Sequence, residues 1–210
     1  MLDLFPLTEE QREIERVARD FAATEIVPYS KQWDRDSYFE PTLVRKLGDL
    51  GFLGMLTAEE YDGLGVDTVT YLVALEEIAA ADASVAVMMS VHNSLPTQML
   101  SGFGSEEQKQ RFLRPMARGE LLGAFALSEP EAGSDAAALT TQAVRDGDSW
   151  IINGTKSWVT SGPYAGVIMV QARTDSRPPR TGTSGIEAFI VTPATLGFSV
   201  GKKEDKLWLR

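Results

Sequence analysis

Residues 119–160 read GELLGAFALSEPEAGSDAAALTTQAVRDGDSWIINGTKSWVT, and within them the spacing of the apolar residues changes. Upstream, apolar side chains recur every three or four positions. From Gly119 onward they come in short runs of β-branched, aromatic and other apolar residues, broken by turn signals. LLGAFALS (121–128) reads as a strand, and TTQAVRD (140–146) and SWIIN (149–153) as two more around a turn at Asp146-Gly147-Asp148. SWVT (157–160) reads as a fourth, after a hairpin turn at Asn153-Gly154. GVIMVQAR (166–173), GIEAFIVT (185–192) and GFSVG (197–201) continue the series. Residues 174–184, TDSRPPRTGTS, read as a loop with two prolines and no apolar face.

Working back toward the N-terminus, the pattern is helical. Thr8 and Gln11 have the spacing of a capping box, and Ile14, Val17, Ala18, Phe21 and Ala22 then share one face until Pro28. Pro41 suits a first helical turn, followed by Leu43, Leu47 and Leu50 up to Gly51. Residues 51–65, GFLGMLTAEEYDGLG, are glycine-rich and read as a loop. Val69, Leu72, Val73, Leu75, Ile78 and Ala79 mark a third helix, and ASVAVMMSVHNSL (83–95) a fourth that is apolar nearly all round and therefore expected to be buried. Ser105 with Gln108 opens a fifth, carried through Phe112, Leu113 and Met116. Helices first and strands second predict segregated α and β domains rather than a βαβ sheet.

The 210 residues, 43% hydrophobic, are enough for one large domain or two modest ones with real cores. Thirty acidic residues against 20 basic ones give a net charge of −10, which argues against sequence-independent binding to nucleic acid or to an anionic membrane surface. An anionic cofactor could still be held by a few well-aimed backbone N–H groups. Cysteine is absent, which removes disulfides, thiolate nucleophiles and cysteine-ligated metals. The one histidine, His92, excludes paired-histidine zinc motifs and reads as a structural residue in an apolar helix; no metal site is expected. MLDLFPLTEEQRE has neither the basic flank nor the apolar stretch of a secretory signal, and no segment approaches about 18 uninterrupted apolar residues. A soluble, cytoplasmic protein is expected.

Nucleotide fingerprints are incomplete. GLGVDT lacks the third glycine and a preceding strand, and GFSVGKK is too short for a P-loop. The stretch Phe125-Ala-Leu-Ser-Glu-Pro-Glu-Ala-Gly-Ser-Asp135 is more informative. A strand ends near Ser128, Pro130 blocks further pairing, Gly133 allows close backbone approach and Ser134 offers a hydroxyl. By chemistry alone this is either an edge strand followed by a turn, or a set of freed N–H groups suited to an anionic or polar ring edge. In Lys156-Ser-Trp-Val-Thr160, a strand's two-residue period would put Trp158 and Thr160 on one side, as a core tryptophan beside a threonine or as the flank of a flat heteroaromatic ring.

The ordered series AEEYDGLG, SVHNSLP, FGSEEQKQ, FALSEPEAGSD, GDSWIINGTKSWVTSG and GKKEDKL resembles the acyl-CoA dehydrogenase family along nearly the whole chain, most of all its short-chain, butyryl-type members. The resemblance implies FAD as cofactor and α,β-desaturation of an acyl-CoA thioester, with electrons passed to an electron-transfer flavoprotein. It further implies a homotetramer or homodimer when full length. With the patterning it predicts an α+β, multi-domain chain: an all-α helical domain over 1–120, then an antiparallel, β-barrel-like domain over 121–210 contacting flavin and acyl-CoA. The family's C-terminal four-helix domain is expected to be missing, and the glutamate base with it. No catalytic residue is therefore assigned, and the isolated chain is expected to be inactive.

Carried over by position, Phe125, Leu127, Ser128, Gly133 and Ser134 resemble the family's first FAD-binding segment. Leu127 and Ser128 would meet the flavin's polar pyrimidine edge, and Ser134 the pyrophosphate and the acyl-CoA chain. Trp158, Val159 and Thr160 resemble the second segment, with Thr160 near the flavin edge that accepts hydride. Met88, Met89 and His92 would lie near the acyl tail, or else pack in the core. Asp62 stands where the family's loop has glycine, and Trp208 where KLGLR would be expected. A flavin monooxygenase-type member of the superfamily and a non-catalytic interaction module are the competing readings.

Overall fold

The computed structural model describes residues 6–174, 182–207 and 209, and divides after Leu121 into a helical unit and a sheet unit, Leu122–Lys203. Trp208 and most of the 174–184 loop lie outside the described residues.

Helix α1 (Glu9–Phe21) begins on the expected capping box: Gln11 N–H donates to Thr8 Oγ1 at 3.2 Å, and Thr8 N–H to Gln11 Oε1 at 3.1 Å. A π-turn, Ala22–Ile26, prolongs it. Helix α2 (Ser30–Asp36) has no buried residue, so no apolar stripe announces it in the sequence. Helix α3 (Thr42–Asp49) follows Pro41 and buries Leu43, Val44 and Leu47. Asp67 and Asp82 cap α4 (Thr68–Ala81) and α5 (Ala83–Ser94) through their side chains, and α6 (Pro96–Phe103) opens on proline. The second capping box, Ser105 with Gln108, opens α7 (Glu106–Gln108), which continues through a π-turn, Lys109–Leu113, into α8 (Arg114–Ala117).

The glycine-rich stretch after Gly51 is a loop, as its composition implies, but it is a buried one. Phe52, Leu53, Met55 and Thr57 are all in the core. Its backbone groups need partners away from water, and Asn93 of α5 supplies them. Asn93 Nδ2 donates to Phe52 O at 2.9 Å and to Met89 O at 3.1 Å, while Met55 N–H donates to Asn93 Oδ1 at 3.2 Å.

The sheet unit is built on strands β1 (Gly123–Ala126), β2 (Gln142–Asp146), β3 (Ser149–Asn153), β4 (Val167–Arg173) and β5 (Ile186–Val191). Gly147 at φ 60 opens the two-residue β2–β3 hairpin loop, a conformation that favours glycine. The expected antiparallel barrel is corrected to a mixed sheet. β4 pairs antiparallel with β5 along one edge, while β1 over residues 167–170 and β2 at Arg173 share the other edge, both parallel to β4. Hairpins between consecutive strands were expected, but residues 127–166 separate β1 from β4, ample chain for β4 to return parallel. The described strands form an open order rather than a closed barrel. β4 is buried at nearly every position, as suits a strand with neighbours on both edges. GFSVG is not a strand, and neither is SWVT.

Candidate functional site

β1 ends at Ala126, and the chain leaves it through Leu127 and Ser128 into a tight reversal around Pro130. Glu129 and Ala132 exchange backbone bonds of 2.9 and 3.2 Å across that turn. The Glu129 side chain folds inward, 3% exposed, and four donors converge on it. Lys156 Nζ, at 2.7 Å, and Thr141 N–H, at 2.9 Å, reach Oε1; Thr140 N–H, at 2.6 Å, and Thr140 Oγ1, at 2.8 Å, reach Oε2. Burial pushes this carboxyl up, but the bonds from Lys156, Thr141 and Thr140 outweigh it and bring the pKa down to about 2. Lys156, 10% exposed, also donates to Leu127 O at 2.9 Å. Burial pulls its pKa below the usual lysine range, with Glu129 opposing. The two partners thus report opposite winners. The carboxylate gains from four donors and the ammonium from only two acceptors, so bonding prevails at Glu129 and burial at Lys156.

This pair brings the two sequence-predicted segments together. Ser157 N–H donates to Ser128 O at 2.8 Å, laying residues 156–157 beside 127–129. The following residue, Trp158, has φ 59 and is 66% exposed. A left-handed conformation is uncommon for a bulky residue and incompatible with a strand, so the expected two-residue alternation of Trp158 and Thr160 does not hold. Ser161 has φ 63 and starts the short turn Gly162–Tyr164. Gly154 is not a hairpin residue either. Its φ is not positive, and glycine is needed because a Cβ there would lie 2.3 Å from Thr141 Oγ1.

The remaining predicted residues divide by environment. Phe125 sits in β1 opposite Met169, half-buried. Val159 packs against the cluster of Ala124, Ala126, Ala165, Ile168, Val170 and Val191, so its side chain belongs to the core. Gly133 and Ser134 are exposed beyond the Glu129–Ala132 bridge, and no hydrogen bond among the described residues joins them to residues 157–160. Met88, Met89 and His92 are core residues of the helical unit. Burial pulls His92 down to about 4, against smaller upward pulls from the backbone of Met116 and Leu53, so it is neutral at physiological pH.

The sequence assigns neither Glu129 nor Lys156 a role. The available signal was two opposite charges at the inner ends of otherwise uncharged segments, Phe125–Ser128 and Ser157–Thr160. Arg173 was also missed. It is 3% exposed, and its guanidinium ties the turn Ala136–Ala138 to the start of β5 through Ala137 O at 2.7 Å and Ser184 O at 2.6 Å.

A flat cofactor with a polar edge and a phosphate tail fits what the chain offers here. Among the described residues nothing accepts from the backbone N–H groups of Leu127, Ser128, Ser134, Trp158 or Thr160. Apart from its two chain neighbours, no residue places an atom within 4 Å of where a Gly133 Cβ would sit, and Trp158 is exposed. Cavities of about 210 and 180 Å³ lie elsewhere, around Tyr29 and Trp33 and around Trp150 and Arg173. Among the described residues no cluster of three or more acidic or histidine side chains could hold a metal ion, and no helix is long and apolar enough to cross a membrane.

Residues 8–120 match the family model for the acyl-CoA dehydrogenase N-terminal domain, and residues 124–210 that for the middle domain. The mouse mitochondrial short-chain specific acyl-CoA dehydrogenase is 46% identical over 205 residues, covering 97% of this chain and 49% of that protein. A chain from the solved structure of the electron transferring flavoprotein of Acidaminococcus fermentans superposes with a TM-score of 0.92 at 40% identity, covering 96% of this chain and 52% of that one. A glutaryl-CoA dehydrogenase from Mycobacterium smegmatis, solved in complex with FADH2, gives 0.89 at 36% identity, covering 97% and 50%. The chain spans about half the length of the curated relatives it matches. With the two domain models together covering nearly every residue, the chain belongs to the acyl-CoA dehydrogenase family.

Proposed function

We propose that this chain provides the flavin- and thioester-binding surface of a short-chain acyl-CoA dehydrogenase that passes its electrons to an electron-transfer flavoprotein. The observation that carries this is the pair of segments joined by Glu129, Lys156 and the Ser157–Ser128 bond, which leaves unpaired N–H groups beside an exposed indole. The family membership, the short-chain relative and the neighbour holding FADH2 support the same reading.

FAD, when bound, supplies the two-electron acceptor for α,β-desaturation of the acyl chain. The residues of this chain bind and orient. Leu127 and Ser128 N–H would satisfy the acceptors of the ring's polar edge, Trp158 would cover a ring face, and Thr160 would offer a hydroxyl. Phe125 would back the first segment, and Val159 would anchor the second through its core contact. Gly133 and Ser134 would take phosphate and thioester groups, where a charge-assisted bond is worth about 1.5–3 kcal/mol. Glu129 is unsuited to act as the base. A carboxylate engaged by four donors, with its pKa about 2, is a poor proton acceptor at neutral pH, and no acid of this chain is assigned that role. Oligomerisation and a cytoplasmic setting belong to the same proposal, and the lack of cysteine fits a reducing compartment.

The test is flavin retention and anaerobic bleaching by butyryl-CoA, measured on the purified chain alone and after supplying the remaining half of a short-chain relative. FAD retained and bleached in the second preparation is the expected result. Retained flavin that butyryl-CoA leaves oxidised would point to the monooxygenase-type reading. No retention in either preparation would leave the chain as an interaction module.

A further inference from the structure

We propose that Glu129 and Lys156 are a positioning pair, a buried clamp that holds Leu127-Ser128 and Ser157-Trp158 side by side so that both can serve one flavin; this rests on the flavin reading above. Every other ion pair among the described residues lies on the surface, whereas this one is almost fully enclosed. A buried ion pair is a poor way to gain stability, because desolvation offsets most of the attraction and apolar residues of similar size often serve as well. What it provides is geometric definition, and each of its bonds here crosses between segments. Lys156 reaches back to Leu127 O and to Glu129, and Glu129 reaches forward to the backbone of Thr140 and Thr141. Thr141 in turn lies against Gly154, where a Cβ would clash, so the approach to Lys156 is fixed from the other side too. The Ser157–Ser128 bond closes the arrangement. Immediately beyond it Trp158 is held at φ 59, a conformation that persists in a bulky residue only when its surroundings determine it. An almost fully enclosed clamp, next to a strained and exposed tryptophan, is where a protein would fix the presentation of a ring-binding residue.

The experiment compares wild type with Glu129→Gln, Lys156→Met, the double variant Glu129→Gln/Lys156→Met, Lys156→Arg, and Ile78→Val as a core change in the helical unit, outside the cluster that holds Val159. Three quantities are read: the thermal midpoint, the exchange rate of the Ser157 amide in the flavin-free chain, and the FAD dissociation constant in whichever of the two preparations above retains flavin. Glu129→Gln and Lys156→Met should speed Ser157 exchange and weaken FAD by about tenfold or more, the weight of one hydrogen bond to a charged group. Lys156→Arg should recover much of both, and Ile78→Val should leave both within about twofold despite a lower midpoint. If a single variant fails to fold, the double variant decides, since it leaves no lone buried charge; it should fold with fast Ser157 exchange. Unchanged Ser157 protection in a folded clamp variant overturns the proposal. So does FAD affinity that follows the thermal midpoint across all variants, Ile78→Val included. A wild type that binds no flavin in either preparation sinks the flavin reading instead, and Ser157 exchange still decides whether the pair clamps these segments.

Discussion

Trp158 shows how much of the candidate site depends on single residues in unfavourable states. A left-handed conformation costs a side chain with a Cβ about 1–2 kcal/mol, and glycine would avoid it at about 0.5–1 kcal/mol of extra chain entropy. The residue is 66% exposed, so it returns little burial energy to this chain. Trp158→Gly should therefore melt no lower than wild type while losing flavin retention, as read by thermal melting and by bound flavin absorbance. A clear loss of stability would mean that the indole is structural. Asp62 shows the same economy at φ 63. Its carboxylate faces Arg114 at 2.9 Å and Arg118 at 3.1 Å, and it lies below the usual carboxylate range chiefly through the Arg114 bond. Glu129 gives the clearest pH dependence. Its folded pKa, about 2, is depressed from 4.5, so its contribution is fully present above about pH 4.5 and is lost as pH falls through about 2. The full span is worth on the order of 3 kcal/mol at most. Glu129→Gln should flatten that part of the acid limb in a stability-against-pH profile; an identical limb would show that the carboxylate titrates normally.

At the level of elements, legibility in the sequence followed locality. Both capping boxes are where their four-residue motifs place them, because a cap is made within one turn of chain. Helix α2 was invisible because none of its residues is buried, leaving no stripe to read. The loop at 51–57 was legible as a loop but not as core, since its burial depends on Asn93, some forty residues on. Asn93→Ala would leave Met55 N–H and Phe52 O buried without partners and should cost about 3 kcal/mol in denaturant unfolding, with the slope unchanged. A loss below about 1 kcal/mol would mean that water replaces the amide there. SWVT was misread because Trp, Val and Thr favour strands, and that preference is overridden once Lys156 and Ser157 are bonded to the end of β1.

For the whole molecule, charge makes a prediction that fold does not. With 30 acidic and 20 basic residues, the chain should neither retard duplex DNA nor sediment with anionic vesicles even at about 10 mM salt, where screening is weakest. Binding under those conditions would reveal a local basic surface that the net charge hides. The sequence by itself determined the order of the two halves, the starts of the two helices with capping boxes, five of the strands and the segments that carry the family resemblance. All of these are set by residues within a few positions of one another, through hydrogen bonds inside one turn or the alternation along one strand. Only the tertiary structure decided that the sheet is mixed and that β4 is its shared centre. It alone turned the 51–57 loop into core, joined Glu129 to Lys156 and held Trp158 left-handed. The physical reason is that parallel pairing, burial and ion-pair formation are properties of groups brought together from distant parts of the chain, whereas local preference acts before any of those partners has arrived.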